Sequence, residues 1–314
     1  MSIVYFYLFI KILNIMKNVK FFFAAFMLLV ASCSNDESLD SSVNPSNEQS
    51  ALTPVTVHVS DFSISVEEFS GGTTRAAQAA ADYAGVKAIT LAFYKADGTE
   101  AYKTTQTKND ADFGEFSLSL PMGSYTMVAV AYTTKEGSPF VLTSATEAAY
   151  TGDHVYETFT ATQLVTISNT NAVDISATLS RVVSMLTVVS SDGKTADVSN
   201  VRMTFSAGGK DFNPGTCLAI TNTGFDNTVG NSAAVGATST SSSYLFLATD
   251  EQDIDVTIET LDADGNTLFS RTIEDVPFKR NRKTKLTGAM YTNTGLAGRF
   301  QVTTDWITEH PMGF

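Results

Sequence analysis

Cysteine is almost absent from this chain of 314 residues, which contains only Cys33 and Cys217. Two cysteines cannot build a disulfide framework, so the fold must be stabilised by hydrophobic cores, and the chain is long enough to bury them. Histidine occurs three times at distant positions, and the patterns His-Glu-x-x-His, Cys-x-x-Cys and Gly-x-Ser-x-Gly are missing. The usual sequence support for a metalloprotease or a serine hydrolase is therefore lacking.

Positive charge is also scarce. Lysine and arginine number 20 against 33 aspartates and glutamates, which gives a net charge of −13. Nucleic acid and anionic membrane surfaces are poor partners for such a protein. Charged residues make up 17% of the chain, below the usual quarter, and serine, threonine and glycine fill the difference. This composition favours an all-β protein outside the cell.

The N-terminus has the parts of a secretion signal. Lys17 and Lys20 precede an apolar run over residues 21–30, and Ala31-Ser32-Cys33 follows before the sequence turns polar. Ten apolar residues are too few to span a bilayer of about 30 Å, so residues 1–32 are predicted to be a signal peptide, with either Met1 or Met16 as its start. In the alternative interpretation Cys33 is a small residue at an ordinary signal-peptidase site.

The segment around Cys33 resembles a bacterial lipobox. That resemblance implies cleavage before Cys33 and its acylation with chains such as palmitate, so that outer-membrane lipid becomes a partner of the protein. Two or three acyl chains anchor a protein firmly, whereas one does so only marginally. Loss of residues 1–32 removes three lysines and no acid, which shifts the net charge to −16. Residues 33–53 are polar and are predicted to form a flexible tether.

Alternating apolar residues predict β-strands from Pro54 onwards. Val55, Val57 and Val59 share one parity, and the alternation resumes with the opposite parity at Phe62, which predicts a β-bulge near Ser60 and Asp61. Residues 71–84 follow as a glycine-containing breaker and an alanine-rich stretch, interpreted as a short helix or a loop. Further alternation begins at Val173 and Val201 and includes Phe300 and Val302.

Turn residues predict four hairpins. Asp97-Gly98, Asp192-Gly193 and Asp264-Gly265 provide the positive φ angles that tight hairpin turns need, and Pro121-Met122-Gly123 lies between two apolar stretches. More than ten strands separated by such turns indicate β-sandwiches rather than a parallel sheet. Two domains are predicted, residues 54–170 and 171–314, divided at the Ser168–Asn171 run. Residues 221–243 are predicted to be a long loop.

Several polar clusters have more than one interpretation. The acidic residues between Asp250 and Asp255 form either a solvated strand edge or a divalent cation site, and Asp262 and Asp264 fit a hairpin turn better than a calcium loop. The basic run 279–285 either protects a sheet edge from pairing or docks an acidic partner. Trp306 belongs to a core or stacks on a sugar, and His58 is a packed or solvated strand residue. No cofactor is expected.

Four features together resemble the fimbrillins and fimbrial anchor-type lipoproteins of Bacteroidales, which build type V pili. They are the lipobox with the acidic residues that follow it, the segment Thr74-Arg75-Ala76 after the first strand, the turn 120–126 into an apolar strand, and residues 277–288. The resemblance implies two tandem transthyretin-like β-sandwich domains. It also implies a lipid-anchored precursor that is exposed on the outer membrane or incorporated in a fimbrium.

In that family an arginine-specific protease removes the first strand, and a terminal strand of a neighbouring subunit fills the groove. By resemblance, residues 54–69 are the first strand, Arg75–Ala76 is the processed bond, and residues 300–306 are the donor. Backbone hydrogen bonds and alternating side-chain pockets make such donor-strand insertion physically reasonable. Arg75 is otherwise an ordinary loop arginine, and anchor or tip subunits keep the first strand.

The sequence therefore predicts a non-enzymatic surface lipoprotein that acts in cell adhesion as a fimbrial (pilus) subunit or anchor. Its partners are expected to be other fimbrial subunits, outer-membrane lipid and a host surface protein or glycan. The alternative hypothesis is a carbohydrate-binding surface lipoprotein of a glycan-uptake system. A secreted glycosidase is the third, and it would need two carboxylates facing each other across a cleft.

Overall fold

The computed structural model describes residues 51–68, 72–79, 83–135, 137–292 and 300–306, and for residues 60–68, 72–79, 305 and 306 it describes the backbone alone. These residues form twenty β-strands and no helix. The strands are β1 (Leu52–Glu68), β2 (Gly72–Ala79), β3 (Ala88–Lys95), β4 (Glu100–Thr107), β5 (Glu115–Pro121), β6 (Gly123–Tyr132), β7 (Phe140–Ser144), β8 (Glu147–Tyr150), β9 (Thr158–Ile167), β10 (Val173–Arg181), β11 (Ser184–Ser190), β12 (Asn200–Phe205), β13 (Asp211–Asn213), β14 (Leu218–Ala219), β15 (Phe225–Gly230), β16 (Thr240–Leu245), β17 (Glu251–Leu261), β18 (Thr267–Lys279), β19 (Arg282–Gly288) and β20 (Gln301–Trp306). The predicted all-β fold is confirmed.

The first half of the chain forms one eight-stranded sheet. Its order is β2-β1-β10-β9-β6-β3-β4, and β5 adds to β1. The pair β1–β10 is parallel, and the other pairs are antiparallel. Residues from β1, β3, β5, β6, β9 and β10 share one hydrophobic core, so β5 and β1 pack across from β3 and β6.

Strands β3 and β6 are buried on both faces. Met127 and Ala129 of β6 face the first core, whereas Val128 and Val130 face a second core. This second core also contains residues of β7, β8 and β13 and the start of the second half of the chain, including Met185. Burial on both faces explains why β6 is a nearly continuous apolar run rather than an alternating one.

The second half encloses a third core between two four-stranded sheets, β16-β11-β19-β20 and β15-β12-β17-β18. Leu186 and Leu286 come from one sheet, and Val201 and Val256 from the other, all fully buried. Inward apolar residues alternate with outward polar ones along β12 and β17, as expected for a sandwich whose outer faces contact water.

The chain passes from the first sheet to the second half after Arg181, not at the run 168–171. β10 pairs with β1 on one side and with β9 on the other, so it completes the sheet that the predicted boundary at residue 170 leaves without it. The Asn-rich run is the turn between β9 and β10, where the Asn169 side chain accepts a hydrogen bond from the Asn171 backbone. Its composition is typical of a turn and of a linker alike.

Two of the four predicted hairpins are confirmed. Asp97-Gly98 joins β3 to β4 and Asp264-Gly265 joins β17 to β18, and both glycines have positive φ. The other two are wrong. β11 and β12, on either side of Asp192-Gly193, belong to different sheets. β5 pairs with β1, whereas β6 pairs with β3 and β9. The chain therefore turns a corner at Met122 and passes from one position in the sheet to a distant one, without forming a hairpin.

Two predicted irregular segments are strands. The stretch 221–243 contains β15 and most of β16, and the irregular residues 231–239 connect these two strands. Within residues 71–84, positions 72–79 form β2 instead of a helix or loop, because β1 offers a full antiparallel edge for the backbone of this stretch. Pairing with β1 here overrides the preference of alanine for helices.

A buried ion pair lies where the two halves meet. The Arg181 guanidinium contacts a Glu157 carboxylate oxygen at 2.6 Å, and both side chains are almost fully buried. The Tyr83 hydroxyl donates to the same carboxylate at 2.6 Å, and Arg181 also donates to the Asn281 side chain at 3.0 Å. Burial disfavours the charge of Arg181, but Glu157 and Tyr83 outweigh it and raise the pKa of the guanidinium.

Asp192 fixes the segment that follows β19. Its carboxylate accepts hydrogen bonds from the backbone amides of Met290, Tyr291 and Thr292 at 2.8–2.9 Å. Burial opposes ionisation, but the hydrogen bonds outweigh it and lower the pKa of Asp192. This contact replaces the predicted hairpin as the role of the Asp192-Gly193 dipeptide.

We expect the segment 290–292 to loosen when Asp192 loses its charge. The pKa of Asp192 is lower in the folded state than in the unfolded chain. The stabilisation that its carboxylate contributes is therefore complete at pH values above the ordinary carboxyl pKa, and it is lost as the pH falls through the folded-state pKa. Asp192→Asn should speed amide hydrogen exchange at residues 290–292 at neutral pH. Asp264→Asn, in an exposed hairpin turn, is the matched control. Unchanged exchange in the Asp192 variant would contradict the assignment.

Candidate functional site

The N-terminal half of β1 lies between two other strands. Residues 52–58 pair antiparallel with β5, and the opposite edge of residues 55–58 pairs parallel with β10, where Val55 is opposite both Leu118 and Val173. Val55, Val57 and Val59 are no more than 1% exposed and point into the first core. The predicted alternation is confirmed, and these valines fill the groove between β5 and β10.

The predicted bulge is confirmed and marks a change of partner. The register of β1 against β10 shifts between His58 and Asp61, with one additional residue on β1. Before the bulge the other edge of β1 pairs with β5, and after it residues 61–68 pair with β2. A bulge bends and twists its strand, so β1 leaves β5 and meets β2 at this point.

β1 is therefore an interior strand, not a detachable edge strand. Residues 55–58 and 61–63 have partners on both sides, with β10 along one edge and β5 followed by β2 along the other, whereas residues 52–54 pair with β5 alone and residues 64–68 with β2 alone. Removing it means breaking two ladders of backbone hydrogen bonds and exposing three buried valines. Full burial of a valine is worth about 1.5–3 kcal/mol, so the intact first sheet holds β1 strongly.

Arg75 and Ala76 lie within β2, opposite Ser65 and Ile64 of β1. Among the described strands β2 pairs with β1 alone, so the other backbone edge of the Arg75–Ala76 bond has no strand partner. The bond is in an extended conformation rather than in the loop or helix expected from sequence. Cys33, the predicted lipidation site, the signal peptide and the tether up to residue 50 lie outside the described residues.

The predicted donor region is β20, an edge strand that pairs antiparallel with β19 of the same chain. Its described side chains, residues 301–304, are exposed, including Val302 at 40%. At its start Phe300 lies against the Gly288 backbone, which leaves no space for a side chain at Gly288. β20 also contacts β1, so the structure brings together the predicted first strand and the predicted donor strand.

The acidic cluster and the basic run, considered separately in the sequence, contact each other. Lys279 forms an ion pair with Glu251, and the Arg280 guanidinium lies 2.7 Å from Asp250. The Lys279 hydrogen bond and charge lower the pKa of Glu251. Asp255 accepts a hydrogen bond from the Asp275 amide at 3.0 Å. The described residues form no group of three or more potential metal ligands.

His58 points outward from β1 as a half-exposed strand residue and contacts the Glu115 side chain of β5. Cys217 is a free, partly buried cysteine, and burial raises the pKa of its thiol.

Sequence reasoning missed the walls of the groove, β5 and β10. Their alternation was visible, but nothing local distinguishes a strand that pairs with β1 from one that pairs with its neighbour in sequence. In the described parts of the chain, no helix is long and apolar enough to span a membrane.

Comparisons with known proteins agree with this fold. A family described as "Family of unknown function (DUF6562)" matches residues 53–311. No curated protein matches the chain. A solved structure described as a "putative adhesin" from Bacteroides thetaiotaomicron has 13% identity, a TM-score of 0.51 and coverage of 83% of this chain and 100% of that chain.

A second "putative adhesin", from Bacteroides ovatus, has 12% identity, a TM-score of 0.50 and coverage of 83% and 96%. The fimbrial anchor protein Mfa2 from Porphyromonas gingivalis is also similar, with 12% identity, a TM-score of 0.47 and coverage of 81% and 97%. The resemblance inferred from the sequence is confirmed at the level of the fold.

Proposed function

The chain belongs to DUF6562, a family of unknown function, and from its structure we propose that it is a non-enzymatic adhesin-type lipoprotein that serves as the anchor subunit of a fimbrium. In this proposal Cys33 carries the lipid and holds the protein on the outer membrane. The shared fold with the two "putative adhesin" structures supports a surface role in adhesion. Other fimbrial subunits are the proposed partners.

The position of β1 carries the anchor proposal. β1 begins at Leu52, shortly after Cys33, and is thus the element through which the tether joins the body. A cut at Arg75–Ala76 would leave the lipid on a fragment that contains β1 and part of β2. A subunit that must stay attached is better served by keeping this connection, and the two-sided pairing of β1 favours its retention.

Retention of β1 leaves the groove between β5 and β10 occupied, so a neighbouring subunit must pair elsewhere. We propose the edge formed by β19 and β20. β20 is exposed and pairs with β19 alone among the described strands. An incoming strand would extend the sheet alongside β20 or take its place on β19. Main-chain hydrogen bonds give affinity in both arrangements, and alternating side chains set the register.

The N-terminus of the protein on intact cells tests the proposal. We expect mass spectrometry to find the mature chain beginning at an acylated Cys33, with the Arg75–Ala76 bond uncut. Arg75→Ala should leave both the fimbriae and their attachment to the cell unchanged, since no processing is needed. Cys33→Ala should release the protein from the membrane fraction, which controls for the anchor itself.

The competing processed-subunit role gives the opposite results. The mature chain would then begin at Ala76, and Arg75→Ala would abolish polymers while the precursor accumulates. Fimbriae that form and stay attached without this protein would overturn both roles.

A further inference from the structure

The second sandwich has an unusual polar side between β15 and β16. Both are edge strands, β15 pairing only with β12 and β16 only with β11 among the described strands. At inward positions Ser239, Ser241 and Ser243 are buried, as is Asn227 of β15, where a sandwich ordinarily places apolar side chains. Buried polar groups need hydrogen-bond partners, and several of these have them inside the sandwich, since Asn227 donates to Ser243 at 2.6 Å and Ser239 contacts the Tyr291 hydroxyl.

A cleft opens on this side, where the second sandwich meets residues 154–156 of the first half. It encloses about 270 Å³, and its walls include Thr228 of β15 and Ser242 and Ser243 of β16. His154 Nε2 donates to the Thr228 carbonyl oxygen at 3.0 Å, which leaves Nδ1 of the neutral ring as an acceptor. The His154 and Tyr156 rings lie nearly parallel, with centroids 6.0 Å apart, and both contribute to the cleft.

Two buried polar atoms here lack a partner in the protein. The Tyr244 hydroxyl is one, and Tyr244 contributes to the cleft wall. The other is Asn227 Oδ1, but Asn227 does not line the cleft, and its amide nitrogen donates to Ser243 at 2.6 Å inside the sandwich. Burial raises the pKa of Tyr244, so its hydroxyl stays protonated and keeps a proton to donate.

We infer that this cleft is a binding site for a single pyranose ring of a surface glycan. The walls offer hydroxyls that both donate and accept, an imidazole acceptor and flat ring faces, which together suit the hydroxyls and the C–H faces of a sugar. The volume lies just below the range of about 300–1,000 Å³ of drug-sized ligand pockets, so one ring fits and a buried oligosaccharide does not. This site goes beyond the anchor function and does not depend on it.

Saturation-transfer difference NMR on the purified protein tests the site. The probes are the methyl glycosides of glucose, galactose, mannose and N-acetylglucosamine at about 10 mM, suited to the millimolar affinity expected of one shallow ring site. We expect at least one glycoside to receive saturation. Thr228→Gln, which fills the mouth of the cleft, should weaken binding at least fivefold, and Ser242→Ala should weaken it less.

Thr204→Gln is the matched control, because Thr204 is a half-buried outward residue of the same sheet and lies outside the cleft. It should bind like the unaltered protein. If Thr228→Gln fails to fold, glycoside binding by Ser242→Ala decides whether the cleft is the binding site. The inference is overturned if no glycoside receives saturation, if glycerol competes as well as the sugar, or if the cleft variants bind normally. Because the assay uses the unassembled protein, its failure leaves the anchor proposal unaffected.

Discussion

Replacing Arg181 by methionine is expected to lower the free energy of unfolding by about 3–5 kcal/mol, because Glu157 is left as a buried carboxylate without its cation. The loss is large beside the 5–15 kcal/mol that stabilises a typical domain. Arg181 ends β10 and reaches Asn281 before β19, so the change also loosens the junction of the two halves. Urea unfolding followed by circular dichroism measures the effect.

The matched control is Lys103→Met, which breaks the exposed ion pair with Glu100. Exposed pairs contribute about 0–1 kcal/mol, so this variant should unfold almost like the parent. The double variant Arg181→Met with Glu157→Leu removes both buried charges and should recover part of the lost unfolding free energy. The recovery is only partial because the Tyr83 hydroxyl loses its acceptor, Glu157. Equal stability of Arg181→Met and Lys103→Met would show that the buried pair does not hold the junction.

Sequence reasoning succeeded where one strand and its turn carry the signal. Alternation placed β1, and a change of parity at Ser60 and Asp61 located its bulge, because side-chain direction has a strict period of two. Asp-Gly turns identified the hairpins β3–β4 and β17–β18 through the positive φ of glycine. These features depend on a few adjacent residues.

Partners distant in sequence could not be predicted. Asp192-Gly193 has the composition of a hairpin turn, yet its carboxylate binds amides about 100 residues away. β5 looked like half of a hairpin with β6 and instead forms a wall of the groove around β1. Likewise, the Lys279–Glu251 pairing depends on a strand register that neither charge cluster reveals alone. The sequence thus located the candidate strand, whereas only the sheet order showed that it is interior.

β1 is expected to remain bound even when the chain is cut between β1 and β2. A specific protease site inserted between residues 68 and 72 would separate the two strands without involving Arg75. Val55, Val57 and Val59 together contribute about 5–9 kcal/mol of hydrophobic stabilisation, added to the hydrogen bonds with β5 and β10. We therefore expect the N-terminal fragment to co-elute with the body in size-exclusion chromatography and to separate only in denaturant.

The buried valines should determine this retention. Val55→Ala with Val57→Ala removes about 2 kcal/mol at each site and should weaken fragment binding roughly a thousandfold. Thr56→Ala alters an outward residue of the same stretch and should leave retention nearly unchanged. A fragment that dissociates from the unaltered cut protein would show that β1 is easily displaced. The groove would then be open to a donor strand, and the processed-subunit role would replace the anchor role.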